Sequence, residues 1–200
     1  MIKRNLAILI FEDVEVLDFA GPFEVFAVTS ELNNYEPFNV FLVAESQRTY
    51  KAVNGLQLVP DYEISNCPNP DILVVPGGVG TRTQMNNQKL ITWIQQVSDR
   101  AELVMSVCTG ARLLAKAGLL DGLEITTHHE AYDELRQLVP TAIVNERKRF
   151  VDQGTIITAG GISAGIDSSL YVVDKLLGRE IARKTAIYME YDWQLETVIN

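Results

Sequence analysis

Three apolar runs of strand length, Leu6-Ala7-Ile8-Leu9-Ile10-Phe11, Ile72-Leu73-Val74-Val75 and Leu103-Val104-Met105-Ser106-Val107, limit what this chain can fold into more than any other feature. A strand with one wet face alternates apolar and polar side chains, so a nearly unbroken run belongs to a strand covered on both faces. Between the runs lie segments of helical period. Leu90, Ile91, Ile94 and Val97 share one helical face within residues 88–100, and Ile166, Leu170, Val173 and Leu177 mark a second core helix. Residues 38–44 read as another strand, 56–60 as a short one, and 180–191 as a last helix. Residues 149–152 and 155–158 flank Gln153-Gly154 as a small hairpin. Buried strands that alternate with helices predict an α/β fold with a doubly wound, mostly parallel sheet between helical layers.

At 200 residues and 47% apolar content the chain suffices for a full core, and we expect one domain over residues 1–200. A formal net charge of −9, with no Lys/Arg cluster to offset it, repels phosphate backbones and anionic membranes. Nucleic acid and membrane are therefore not expected partners. The first apolar stretch ends at Glu12-Asp13, too short to span a bilayer and without a small-residue cleavage site, which predicts a cytoplasmic protein. Two cysteines, Cys67 and Cys108, do not make a disulfide framework and are expected as free thiols.

Glycine-rich turns stop two of the buried strands. Pro76-Gly77-Gly78 follows the second, and Cys108-Thr109-Gly110 joins the third to a helix of Ala111, Leu113, Leu114 and Ala117 that Gly118 closes. Cys108 thus sits at a strand-to-helix elbow, where free backbone N–H groups favour the thiolate, the reactive form of cysteine. In a doubly wound sheet such turns lie at the carboxyl ends of the strands, where ligands bind. Gly77 and Gly78 are candidates to receive developing negative charge through their N–H groups. Asp18 and Pro22 are placed as an N-cap and a first-turn proline, and Asp18 has the reach to face Cys108. Two anions in one pocket repel, so such a pair shares a proton and titrates as a unit.

His128-His129-Glu130 lacks the spacing of a metal site, although His128 is a candidate wall of the cysteine pocket. Gly77-Gly78-Val79-Gly80 lacks the third glycine of a dinucleotide fingerprint and no phosphate loop occurs, so no nucleotide cofactor is expected. Cys67 lies in a turn-rich loop with no base nearby, and Glu12, Glu15 and His129 read as loop or surface groups.

Taken together, Leu17-Asp18-Phe19-Ala20-Gly21-Pro22, Val75-Pro76-Gly77-Gly78, Ser106-Val107-Cys108-Thr109-Gly110 and Ala159-Gly160-Gly161-Ile162-Ser163-Ala164-Gly165-Ile166-Asp167 resemble the ThiJ/PfpI superfamily over nearly the whole chain. Within it, Thr126-Thr127-His128 and Asn145-Glu146-Arg147 resemble the isocyanide hydratase branch. The resemblance implies a flavodoxin-like fold, usually a homodimer, and a small-molecule substrate converted without a cofactor. It implies Cys108 as nucleophile, Asp18 as the acid against it, and Thr109 holding Asp18. The N–H groups of Gly78 and Thr109 would form the anion site, and His128, Gly160 and Gly161 the pocket. Thr109 stands where peptidase-like and glyoxalase-like branches tend to carry histidine, and His129 stands where the hydratases carry tryptophan. The activity implied is hydration of an isocyanide to an N-substituted formamide. Alternatives are a non-catalytic ligand-binding or redox-sensing protein and a glyoxalase or deglycase.

Overall fold

The computed structural model describes residues 3–194; residues 1–2 and 195–200, the two ends of the expected 1–200 domain, lie outside the described residues. Strand β1 (Arg4–Leu9) leads into helix α1 (Val16–Glu31) and strand β2 (Phe38–Ala44). Strands β3 (Tyr50–Lys51) and β4 (Gln57–Leu58) pair antiparallel as a separate ribbon, and β5 (Tyr62–Glu63) returns to the main sheet beside β2. Strand β6 (Ile72–Val75), helices α2 (Thr81–Gln84) and α3 (Gln88–Ser98), and strand β7 (Leu103–Val107) follow. A 3-10 turn, Cys108–Gly110, runs straight into α4 (Ala111–Lys116). Strands β8 (Glu124–Ile125) and β9 (Ile143–Val144) pair in parallel on either side of α5 (Tyr132–Leu138). The hairpin of β10 (Phe150–Asp152) and β11 (Ile156–Ala159) precedes α6 (Ala164–Leu177) and α7 (Arg179–Tyr188).

The main sheet has seven strands in the order β10-β11-β7-β6-β1-β2-β5, all parallel except the edge strand β10. The α/β, doubly wound architecture is the one the apolar runs predict, and its flavodoxin-like form is the one the resemblance implies. All of β6 and β7, and β1 from Leu6 onward, are buried, because helices cover both faces. The chain builds outward from β1 through β2 to β5, then crosses back to β6. The reversal between β1 and β6 is the switch point at which a doubly wound sheet opens a crevice.

Several boundaries differ from the sequence expectation. Strand β1 begins two residues earlier and stops at Leu9, because Arg4 already pairs with Phe38. The short strand expected at 56–60 shrinks to β4, outside the main sheet, and the final helix spans 179–188. The larger correction concerns α1. It starts at Val16, so Asp18 is inside the first turn rather than its cap, and Pro22 is interior, where its missing N–H forfeits a bond to the Asp18 carbonyl. No side chain caps this helix. Its start is fixed by backbone contact instead, with the Glu15 N–H donating to the Gly77 carbonyl at 2.9 Å. Freed from capping, the Asp18 side chain turns inward and is fully buried.

Candidate active site

Strand β7 delivers Cys108 to the end of the sheet in a left-handed conformation, with φ of 56°. A non-glycine residue adopts this region at a cost, and the surroundings hold it there. The Cys108 N–H donates to the Gly160 carbonyl at 2.9 Å, and its carbonyl accepts from the Thr127 hydroxyl at 2.7 Å. Gly110 completes the elbow: a Cβ there would lie 2.0 Å from the Val75 carbonyl oxygen, so only glycine lets the turn pass so close to β6.

Asp18 Oδ2 accepts from the Gly77 N–H at 2.9 Å, while Oδ1 has no acceptor bond among the described residues. A Cβ at Gly77 would fall 2.5 Å from the Thr109 nitrogen and 2.8 Å from Asp18 Oδ2, so this glycine permits the close approach of acid, turn and elbow. Burial pushes the Asp18 carboxyl up to about 7, against the Gly77 N–H and the Cys108 thiol, which favour its charged form. Burial and then the charge of Asp18 push the Cys108 thiol up to about 12, against the N–H and hydroxyl of Thr109. The expectation that the elbow alone ionises Cys108 is therefore corrected, because desolvation and the facing acid outweigh the helix-start donors. Between about 7 and about 12 the pair holds a single proton.

The glycine turn also differs from expectation. Its two N–H groups are not free, since Gly77 donates to Asp18 and Gly78 donates to Thr109 Oγ1 at 3.0 Å. Gly77, not Thr109, holds Asp18. Thr109 is bound to the Gly78 backbone instead, and its own N–H is the backbone donor left beside the sulfur.

A cavity of about 340 Å³ opens on the sulfur, lined among others by Glu15, Thr109, Arg112, His128 and Ile162. It lies at the carboxyl ends of β1, β6 and β7, across the switch point. His128 is part of this wall, as the sequence suggested. Its Nδ1 accepts from the Glu130 N–H at 3.3 Å, which assigns the ring proton to Nε2, and burial and His129 lower its pKa. Gly160 and Gly161 line a neighbouring cavity of about 570 Å³ that shares His128 and Ile162, and the His128 ring lies over Gly161. They shape the first cavity only through His128 and through the Gly160 carbonyl that clamps Cys108.

Several participants escaped the sequence reading. Glu15, read as a loop group, lines the cavity. Ile162 faces it with φ of 52°, a strained value for a β-branched residue. Arg112 falls one turn after Cys108 and is buried, donating to Thr81 at 3.0 Å and to Glu134. The four-residue spacing from Cys108 is the one signal that pointed to it.

A buried cysteine on the turn after a central parallel strand, set against a buried acid at the switch point, defines a flavodoxin-like α/β protein with a cysteine at its strand-to-helix elbow. The chain belongs to the DJ-1/PfpI family, which it matches over residues 4–175. It is 34% identical over 188 residues to an isonitrile hydratase of Pseudomonas putida, covering 94% of this chain and 78% of that one. It is 26% identical to the HTH-type transcriptional regulator GbdR of Pseudomonas aeruginosa over 90% of this chain, spanning about half (48%) of that regulator's length. A ThiJ/PfpI family protein from Pseudomonas syringae superimposes with a TM-score of 0.88 at 29% identity, covering 97% of this chain and 77% of that one. Among the described residues no helix is long and apolar enough to cross a membrane.

Proposed function

We propose that the protein hydrates an isocyanide to an N-substituted formamide through a covalent thioimidate on Cys108. The observation that carries this reading is the Cys108–Asp18 pair holding one proton between them beside a cavity of about 340 Å³. Similarity to an isonitrile hydratase over 94% of the chain supports it.

In the one-proton state the proton rests mainly on the sulfur, and the reactive arrangement is the minor tautomer, thiolate and carboxylic acid. The sulfur adds to the terminal isocyanide carbon, and the electron pair left on that carbon takes the Asp18 proton, giving R–N=CH–S–Cys108. Water then adds to the same carbon, the C–S bond breaks, and R–NH–CHO leaves. The released thiolate and the proton from water restore the pair. Isocyanide and water supply every atom of the product.

The engaged glycine N–H groups support this chemistry over acyl transfer. Attack on a carbonyl places charge on an oxygen that needs free donors. Attack on an isocyanide places it on carbon, where an acid is needed, and Asp18 is that acid.

Incubation of the protein with a simple alkyl isocyanide, beside Cys108→Ala, tests the reading through formamide release. Turnover by the wild type alone supports it, and no turnover by either discards it. The second reading, a ligand-binding module without catalysis, rests on the similarity to GbdR. Redox sensing has less support, because Cys108 is buried with its thiol pKa raised.

A further inference from the structure

We propose that Arg112 and Arg82 form an anion-recognition end of the catalytic cavity, and that the isocyanide it takes carries a carboxylate close to its reactive carbon. The choice of an isocyanide rests on the function proposed above; the recognition of an anion by the two arginines does not.

Both arginines line the cavity that opens on Cys108. Arg112 is the fourth residue after the cysteine, and the turn Cys108–Gly110 that runs into α4 brings the two onto one cavity wall. The Arg112 side chain is buried, and a guanidinium has five N–H donors and no acceptor. Its Nη1 donates to Thr81 Oγ1 at 3.0 Å and its Nη2 to Glu134 Oε2 at 2.5 Å, while Nε has no acceptor among the described residues. Unmet donors on a buried cation are costly, so this wall is short of acceptors. Arg82, on α2, reaches the same Glu134 Oε2 at 3.9 Å, too far for a hydrogen bond. One carboxylate thus serves two guanidinium groups, and a positive charge is left over beside the nucleophile.

The acids of the wall do not cancel that charge by contact. Neither Glu15 nor Glu130 makes an ion pair among the described residues; Glu15 adds its field to that of Asp18, and Glu130 acts on His128. A molecule whose reactive carbon meets Cys108 and Asp18 therefore turns a carboxylate away from these acids and towards Arg112 and Arg82, which can receive it through paired N–H donors. The volume of about 340 Å³ is at the small end for a ligand pocket, which suits a short link between the two groups.

Iodoacetate and iodoacetamide alkylate a thiol at the same carbon with the same leaving group and differ by one negative charge. The ratio of their rates at Cys108, with peptide mass spectrometry to separate Cys67, therefore cancels changes in the ionisation or access of the sulfur. This iodoacetate-to-iodoacetamide ratio is expected to exceed that of the neutral thiol N-acetylcysteinamide about tenfold, as one charge-assisted hydrogen bond implies. Arg112→Gln is expected to return the ratio to that of the free thiol. Arg82→Gln is expected to lower it by less, because Arg82 is exposed and screened. A wild-type ratio no higher than that of the free thiol, or a ratio that one of the two substitutions leaves unchanged, overturns the proposal. If Arg112→Gln does not fold, Arg82→Gln decides, a lowered ratio in support and an unchanged one against. Formamide release from isocyanoacetate is expected to outpace release from its methyl ester. Equal or faster turnover of the ester overturns the carboxylate as a substrate feature; turnover of neither discards the hydratase reading, and the alkylation ratio still decides the anion site.

Discussion

The backbone N–H of Gly77 donates to Asp18 Oδ2 at 2.9 Å, and this one bond fixes the position of an acid that the rest of the site makes costly to ionise. A carboxyl with no solvent exposure and one strong donor is held at about 7, well above its ordinary value of about 3.9. Site and fold are in tension at this residue.

The sign of that tension is testable. Because the folded state binds the Asp18 proton more tightly than the unfolded chain does, stability falls as pH rises from about 4 to about 7. Asp18→Asn removes the effect. Thermal or urea unfolding should find this variant more stable than the wild type above pH 7, by about 2–4 kcal/mol, with the difference vanishing near pH 4. Its formamide-forming activity should be lost, because the amide has no proton to give.

The reactivity of Cys108 should follow the pair and not an isolated thiol. Below about pH 7 both groups are protonated; above it one proton remains, and the thiolate–acid form has a constant share. Alkylation of Cys108 should rise through a midpoint near 7 and then stay level, where a free cysteine titrates near 8.5. In Asp18→Asn this early midpoint should disappear. Cys67, whose thiol is raised by burial, should react only at higher pH.

Gly110→Ala should break the elbow. The added Cβ would stand 2.0 Å from the Val75 carbonyl oxygen and 2.9 Å from that of Pro76, both backbone atoms that cannot yield cheaply. A loss of about 3 kcal/mol or more is expected in chemical denaturation, together with loss of the early alkylation midpoint. Gly154→Ala is the comparison: nothing stands within 4 Å of its added Cβ, so it carries only the roughly 1–2 kcal/mol cost of a side chain at φ of 89° and leaves the alkylation midpoint in place.

Acyl transfer should be poor. With the Gly77 and Gly78 N–H groups engaged by Asp18 and Thr109, a tetrahedral oxyanion finds fewer donors, each worth about 100-fold or more in rate. Turnover of p-nitrophenyl acetate should stay within about tenfold of the uncatalysed rate even where isocyanide is consumed.

Much of this was legible in the residues. Unbroken apolar runs forced the two-sided burial of β1, β6 and β7, and punctuation by Pro76-Gly77-Gly78 and Cys108-Thr109-Gly110 located the carboxyl-end turns. Short strands β3, β5, β8 and β9 were missed because two residues carry no periodicity. Asp18 was read as a cap because its residue type and the nearby proline fit one, but contact between Glu15 and Gly77 sets the start of α1. The state of Cys108 depends on burial and on a neighbour ninety residues away, neither of which local pattern encodes. The same holds for Arg112, which joins the cavity wall only once α2 and α4 pack together.

The central claim is that Cys108 bonds to the isocyanide carbon while Asp18 supplies the proton. Rapid mixing of the protein with an alkyl isocyanide, acid quenching and intact-mass analysis tests this directly. The account predicts a transient species heavier by the mass of one isocyanide, located at Cys108 in the peptide map, absent from Cys108→Ala, and decaying as formamide appears. Formamide released at the wild-type rate by Cys108→Ala would contradict it.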